Sequence, residues 1–141
     1  MSTVSMKITE SPKIAVPTIG VAGMRRISSV ALESAADRVG RGFTVSDSPA
    51  TPLNRSYARA KLRKGLKPIR DLRFSGRTMS SFKLRSAGNK QATIGFDDPI
   101  AAQRAADNDA ISPMIGLSPT DQRRVGAAAA DELARAIREA S

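Results

Sequence analysis

Twelve cations stand between Arg55 and Lys90: Arg55, Arg59, Lys61, Arg63, Lys64, Lys67, Arg70, Arg73, Arg77, Lys83, Arg85 and Lys90. A single anion, Asp71, opposes them, so this window carries +11 while the whole 141-residue chain carries +10. The charge is local, and the chemistry open to it is to hold an anion, either DNA backbone or an acidic protein surface. Arg55, Arg59, Lys61, Arg63, Lys64, Lys67, Arg70, Arg73 and Arg77 form the expected partner-facing or DNA-facing surface.

Bond-making chemistry has much thinner support. The chain has no histidine and no cysteine. The common zinc patterns cannot be built, and the commonest neutral-pH acid–base group is missing. A serine nucleophile would need a lysine as its base. Ser81 and Lys83 are close only in sequence, and strand alternation also separates Ser80 from Lys83. The segment from Gly65 to Gly76 lacks both the spacing and the lysine of a phosphate-binding loop. The expectation is a binding or structural protein, not an enzyme, with no cofactor, no metal and no catalytic residue.

The elements that must position the cations follow from periodicity. Met24, Ile27, Ala31, Leu32, Ala35 and Val39 share one face of a helix predicted over Val21–Val39, with Arg25, Arg26, Ser29, Glu33 and Asp37 opposite. Gly40 and Gly42 end it. Phe43 to Leu53, with two prolines, reads as a long loop of a kind usually functional or tied to a partner. Asn54 caps a short basic helix from Arg55 to Lys64, closed by Gly65. The stretch from Lys67 to Phe82 passes a proline elbow and a Ser-Gly turn into a strand.

Phe82-Lys83-Leu84-Arg85 and Ala92-Thr93-Ile94-Gly95-Phe96 then alternate as a β-hairpin, with Phe82, Leu84, Ala92, Ile94 and Phe96 on its buried face. Asp98 and Pro99 start a short helix from Ile100 to Ala106, which Asp107-Asn108-Asp109 is expected to break. The trio does not have the spacing of a calcium loop. Ser118, Pro119 and Asp121 open a terminal helix through a capping box, with Val125, Ala129, Leu133, Ala136, Ile137 and Ala140 on one face. Asp131–Arg135 and Arg135–Glu139 are expected ion pairs on the other.

The sum is an α+β fold. A small antiparallel sheet, the hairpin at about 82–96, is covered by two amphipathic helices, with an extended N-terminal arm and a long loop left over. Residues 1–20 are expected to be the arm, and 21–141 a single domain. Only 4% of residues are aromatic and much of the apolar share is alanine, so a lone subunit has a thin core and gains from association. Ile14, Val16 and Ile19 are the candidate subunit contacts of the arm. No apolar run approaches the roughly 20 residues that span a bilayer, and the first residues lack a signal core. A soluble protein made in the cytoplasm, without membrane contact, is expected.

Nucleic acid remains a candidate partner. The cations supply phosphate attraction, but Tyr57 is the sole tyrosine and tryptophan is absent, so stacking platforms are missing. A contact indifferent to base sequence is what is left.

The order of pieces carries a resemblance. A helix and a Pro-containing loop lead to Tyr57-Ala58 and Lys61, then to Lys67-Pro68-Ile69-Arg70-Asp71-Leu72-Arg73-Phe74-Ser75-Gly76-Arg77-Thr78-Met79-Ser80-Ser81-Phe82. Ala92 to Asp97, the pair Ala101-Ala102, and Ser112-Pro113-Met114-Ile115-Gly116-Leu117-Ser118-Pro119-Thr120-Asp121 follow. From about Phe43 onward this resembles the virion morphogenesis or tail completion family of tailed phages. There, a Pro-Leu-x-Asp-Thr-Gly-x-Leu-x-x-Ser stretch leads to a strand ending Ile-Gly, and a Pro-x-Arg-Pro-Phe-Leu-Gly-Leu-Ser-x-x-Asp run introduces the last helix. Ser75 and Met79 stand where the family has Thr and Leu. Ile100-Ala101-Ala102-Gln103-Arg104 replaces a Tyr-Ala-x-x-His-x-x-Gly stretch, and Ser112-Pro113-Met114 replaces the Pro-x-Arg-Pro run.

What the resemblance implies is a structural virion protein of the phage neck, or head–tail connector, of tail completion or terminator type. It would form a homo-oligomeric ring around the DNA channel. Its partners would be portal, adaptor or tail proteins, with the basic residues facing packaged DNA or acidic patches. The alternative is a small basic accessory protein that binds DNA without sequence preference.

Overall fold

The computed structural model describes residues 5–9, 19–73 and 76–140, with the backbone alone for 5–9. In chain order the elements are β1 (Ser5–Thr9), α1 (Val21–Gly40), α2 (Arg55–Arg63), α3 (Arg77–Ser80), β2 (Phe82–Ala87), β3 (Gln91–Phe96), α4 (Pro99–Asp109) and α5 (Pro119–Ala140). The fold is the small α+β arrangement that the periodicity predicts.

The hairpin forms because its two strands alternate in phase. Phe82 faces Phe96 and Leu84 faces Ile94 across an antiparallel ladder, and the two phenyl rings meet at 5.0 Å. Arg85 is the extra residue of a bulge between Leu84 and Ser86. The bulge carries β2 two residues beyond the predicted Arg85 and lets its guanidinium donate to the Phe96 carbonyl at 2.8 Å.

β1 pairs antiparallel with the other edge of β3, Met6 opposite Ile94 and Ile8 opposite Ala92, giving the order β1-β3-β2. This corrects the expectation of an arm lying on a neighbouring subunit for residues 5–9. Two strands alone leave one edge of β3 unpaired, and the chain's own first strand satisfies it. Ile14 and Val16 lie outside the described residues. Ile19 is buried within the chain's own core at 6% exposure, so it is not available as a subunit contact.

α1 lays Met24, Ile27, Ala31 and Ala35 on the sheet, as its period predicts. Ala101, Ala102 and Ala105 of α4 complete this core. Alanine brings backbones close but buries little area. α5 packs mainly on α1, and of its apolar face Val125, Ala129 and Leu133 are only half-buried while Ile137 is 45% exposed.

The most deeply buried side chains on α5 are instead Asp121 and Glu132. Asp121 and Ser118 exchange the two bonds of the expected capping box, Ser118 N to Asp121 Oδ2 at 3.0 Å and Asp121 N to Ser118 Oγ at 3.1 Å. The same carboxylate accepts from Ser34 Oγ at 2.5 Å and from Arg38 Nε at 2.9 Å. Arg38 spends its other donors on Phe43 O at 2.9 Å and Gly116 O at 2.8 Å. Glu132 takes Arg26 in a two-pronged pair, at 2.5 and 2.8 Å, and Arg135 at 3.8 Å; this last pair has three-residue spacing in place of the predicted four.

The long loop is tied down inside the chain. Thr44 N donates to Ser48 O, Ala50 N to Gly42 O, Val45 N to Pro113 O and Thr51 N to Ser112 Oγ. Gly42, at φ +77°, makes the turn out of α1 where a side chain would crowd Ile69. Asp47 accepts from Thr120 N, a bond that holds its carboxyl below the ordinary range.

α4 runs through Asp107-Asn108-Asp109 rather than breaking there. Asn108 Nδ2 donates to Ser112 O, and Asp109 accepts from the amides of Met114 and Ile115, so these residues anchor the chain leaving the helix. Burial raises the Asp109 carboxyl despite those two amides.

Burial pushes Asp121 up, but the Ser34 hydroxyl, the Ser118 amide and Arg38 outweigh it and hold its pKa below the usual value. Its stabilisation is therefore complete above the unfolded-state pKa of about 3.9 and is lost as pH falls through the lower folded value. Urea midpoints taken stepwise from about pH 6 to about pH 2 should fall less steeply for Asp121→Asn than for the parent chain. Arg38→Met should cost about 3–5 kcal/mol, and adding Asp121→Leu should recover much of that loss.

Candidate anion-docking surface

α2 begins where Asn54 Oδ1 accepts from Tyr57 N at 2.9 Å, as the sequence predicts. It ends one residue before the predicted Lys64, and Gly65 at φ +75° closes it. No apolar side chain of this helix is buried; its one buried residue is Lys61.

Lys61 is 1% exposed and so is not part of the docking surface, which corrects its assignment there. Its ammonium donates to Asp71 Oδ1 at 2.5 Å and to Ile69 O at 2.6 Å. Asp71 also accepts from Arg73 N at 3.0 Å. An ammonium this far from water must be neutralised, and Asp71, the lone acid of the basic window, supplies the charge. That numerical isolation was the available sequence signal; the ten-residue separation of the pair hid it.

The other predicted cations divide by what they touch. Arg70 is half-buried and donates to Thr51 O at 2.8 Å and Asn108 Oδ1 at 2.7 Å, tying the elbow to the loop and to α4. Arg77 is exposed and pairs with Asp98 at 2.6 Å, and that hydrogen bond holds Asp98 below the ordinary carboxylate range. Asp98 also caps α4 through Ile100 N. Arg70 and Arg77 therefore have structural partners. Arg55, Arg59, Arg63, Lys64, Lys67 and Arg73 are exposed.

Among these, Arg55, Arg59 and Arg63 recur every four residues, and one helix face brings successive members of such a row within about 6 Å. None makes an ion pair among the described residues. The helix carries no acid in its first turn, where Arg55 meets the positive end of the helix dipole. Leu62, three residues on from Arg59, is 57% exposed, a feature that the charge pattern did not reveal.

On the Lys61 side of α2 lies a cleft of about 490 Å³, lined among others by Leu53, Tyr57, Arg70, Arg73, Arg104 and Ile111. No group of three or more His, Cys, Asp or Glu among the described residues could hold a metal ion. No helix among them is long and apolar enough to cross a membrane.

No known protein family, curated protein or solved structure matches this chain. The surface is therefore characterised by its own chemistry, as a rigidly seated, acid-free row of guanidinium groups.

Arg59→Glu turns two like-charge pairs into two opposite-charge pairs, and should raise stability by about 0.5–1 kcal/mol in urea denaturation. Lys61→Met leaves Asp71 buried without its cation and should cost about 3–5 kcal/mol in the same measurement.

Proposed function

We propose that this chain is a structural virion protein of a tailed phage's head–tail junction, of neck, tail-completion or terminator type. It forms a ring with its own copies around the DNA channel, and α2 presents Arg55, Arg59 and Arg63 to an anionic partner. The observation that carries the reading is the self-repelling arginine row: it opposes its own helix and is relieved only when negative charge covers it.

The order of elements supports the same reading. The stretch through Gly76 leads into β2, Ala92 to Phe96 lies in β3, and Ser118-Pro119-Thr120-Asp121 opens the last helix. The alanine-rich core and the exposed Ile111 and Ile137 suit a subunit that gains by association.

The test is assembly. Arg59→Glu with Arg63→Glu and Lys64→Glu should abolish infectious particles and co-purification with portal-bearing particles, while the isolated chain keeps its melting temperature. Association of the parent chain should survive nuclease treatment. Normal assembly of the charge-reversed variant would sink the proposal.

A further inference from the structure

We infer that the outer face of α2 docks an acidic protein surface with an apolar depression, and that Leu62 fills the depression between carboxylates bound by Arg55, Arg59 and Arg63. The inference rests on the anionic-partner reading above and narrows it from any anion to a protein.

Leu62 decides between the two classes. It stands three residues after Arg59 and seven after Arg55, so it shares their face of the helix. At 57% exposure it is among the most water-accessible large apolar side chains described, and it sits inside the most cationic stretch of the chain. Contacts that only track a phosphate backbone are made by charged and hydrogen-bonding groups, and an aliphatic side chain adds nothing to them. Protein interfaces, by contrast, combine a desolvated apolar anchor with a charged surround. Arginine suits that surround because its planar fork engages a carboxylate through two parallel bonds.

The seat of α2 supports rigid docking. Asn54 fixes its start, and Lys61 fixes its inner side through Asp71 and Ile69, so the four exposed residues are presented in a set geometry. The geometry asks for carboxylates about 6 Å apart, which glutamates four residues apart on a partner helix provide.

The experiment uses the full chain and three probes in fluorescence anisotropy at physiological salt. The first is a synthetic helical peptide with glutamates at four-residue spacing and leucines between them. The second is the same peptide with serine for leucine, and the third is a short duplex DNA. The first probe should bind tightest and weaken with added salt. Leu62→Ala should weaken it about tenfold and leave the other two unchanged. Because Leu62 is exposed, the variant should keep the parent's melting temperature.

Tighter binding of the duplex than of the first peptide, or a first peptide indifferent to Leu62→Ala, overturns the inference while leaving an anionic partner in place. Failure of all three probes to bind overturns that broader reading as well.

Discussion

A guanidinium and a carboxylate shut away from water, Arg38 at 1% exposure and Asp121 at 1%, set the terms on which this chain can fold. Neither charge is tolerable alone in the interior, and each becomes tolerable only when every donor and acceptor is matched. The match draws on distant parts of the chain: Ser34 and Arg38 near the end of α1, the Phe43 carbonyl, the Gly116 carbonyl, and Ser118 with Asp121 at the start of α5. A slip of α5 along α1 would strand one of these groups. The apolar contacts could not enforce that register so sharply, because α5 buries none of its apolar residues fully. Here the ion pair selects the arrangement, and the alanine-rich core supplies modest cohesion.

The same device recurs at α2 on a smaller scale. A nine-residue helix is too short to persist on its own in water, and this one has no buried apolar stripe to hold it. Its attachments are a side-chain cap, the inward-turned Lys61 and a glycine-closed end. One lysine of a cationic helix is thus used as an anchor, which leaves the arginines free of structural duty. The division follows chemistry, since a lysine's compact ammonium can be matched by one carboxylate and one carbonyl, whereas guanidinium groups suit flat, two-pronged recognition at a surface.

Much of this was legible before the structure, because the relevant signals are local. The extent of α1, the Asn54 cap, the inward face of the hairpin and the Ser118–Asp121 capping box all follow from spacing within a few residues. What was not legible depends on partners far apart in sequence. Arg38 reads as one more polar residue of α1 until Asp121, 83 positions later, is placed beside it. Lys61 reads as surface charge until the elbow folds Asp71 onto it. β1 carries too short a pattern to reveal its pairing with β3, and the Phe43–Leu53 loop shows its anchorage only once Ser112, Pro113 and Thr120 stand next to it. The order of the pieces along the sequence could not separate the cations that build the chain from those it displays.

That separation also bears on how copies of the chain could meet. An exposed strand edge is the readiest route to association, and β2 is an edge strand. Yet β2 displays Lys83 and Arg85 and is bent by a bulge at Arg85, features that resist the addition of another strand. The sheet's other edge is β1, which pairs with β3 on one side only. Two helix faces also have something to gain: α2 with its arginines and Leu62, and α5 with its half-covered apolar side and exposed Ile137. The two faces differ in kind, since contact on α5 gains from removing apolar area from water and contact on α2 requires negative charge. Two identical α2 faces would set arginine against arginine. Symmetric association through this helix is thereby disfavoured.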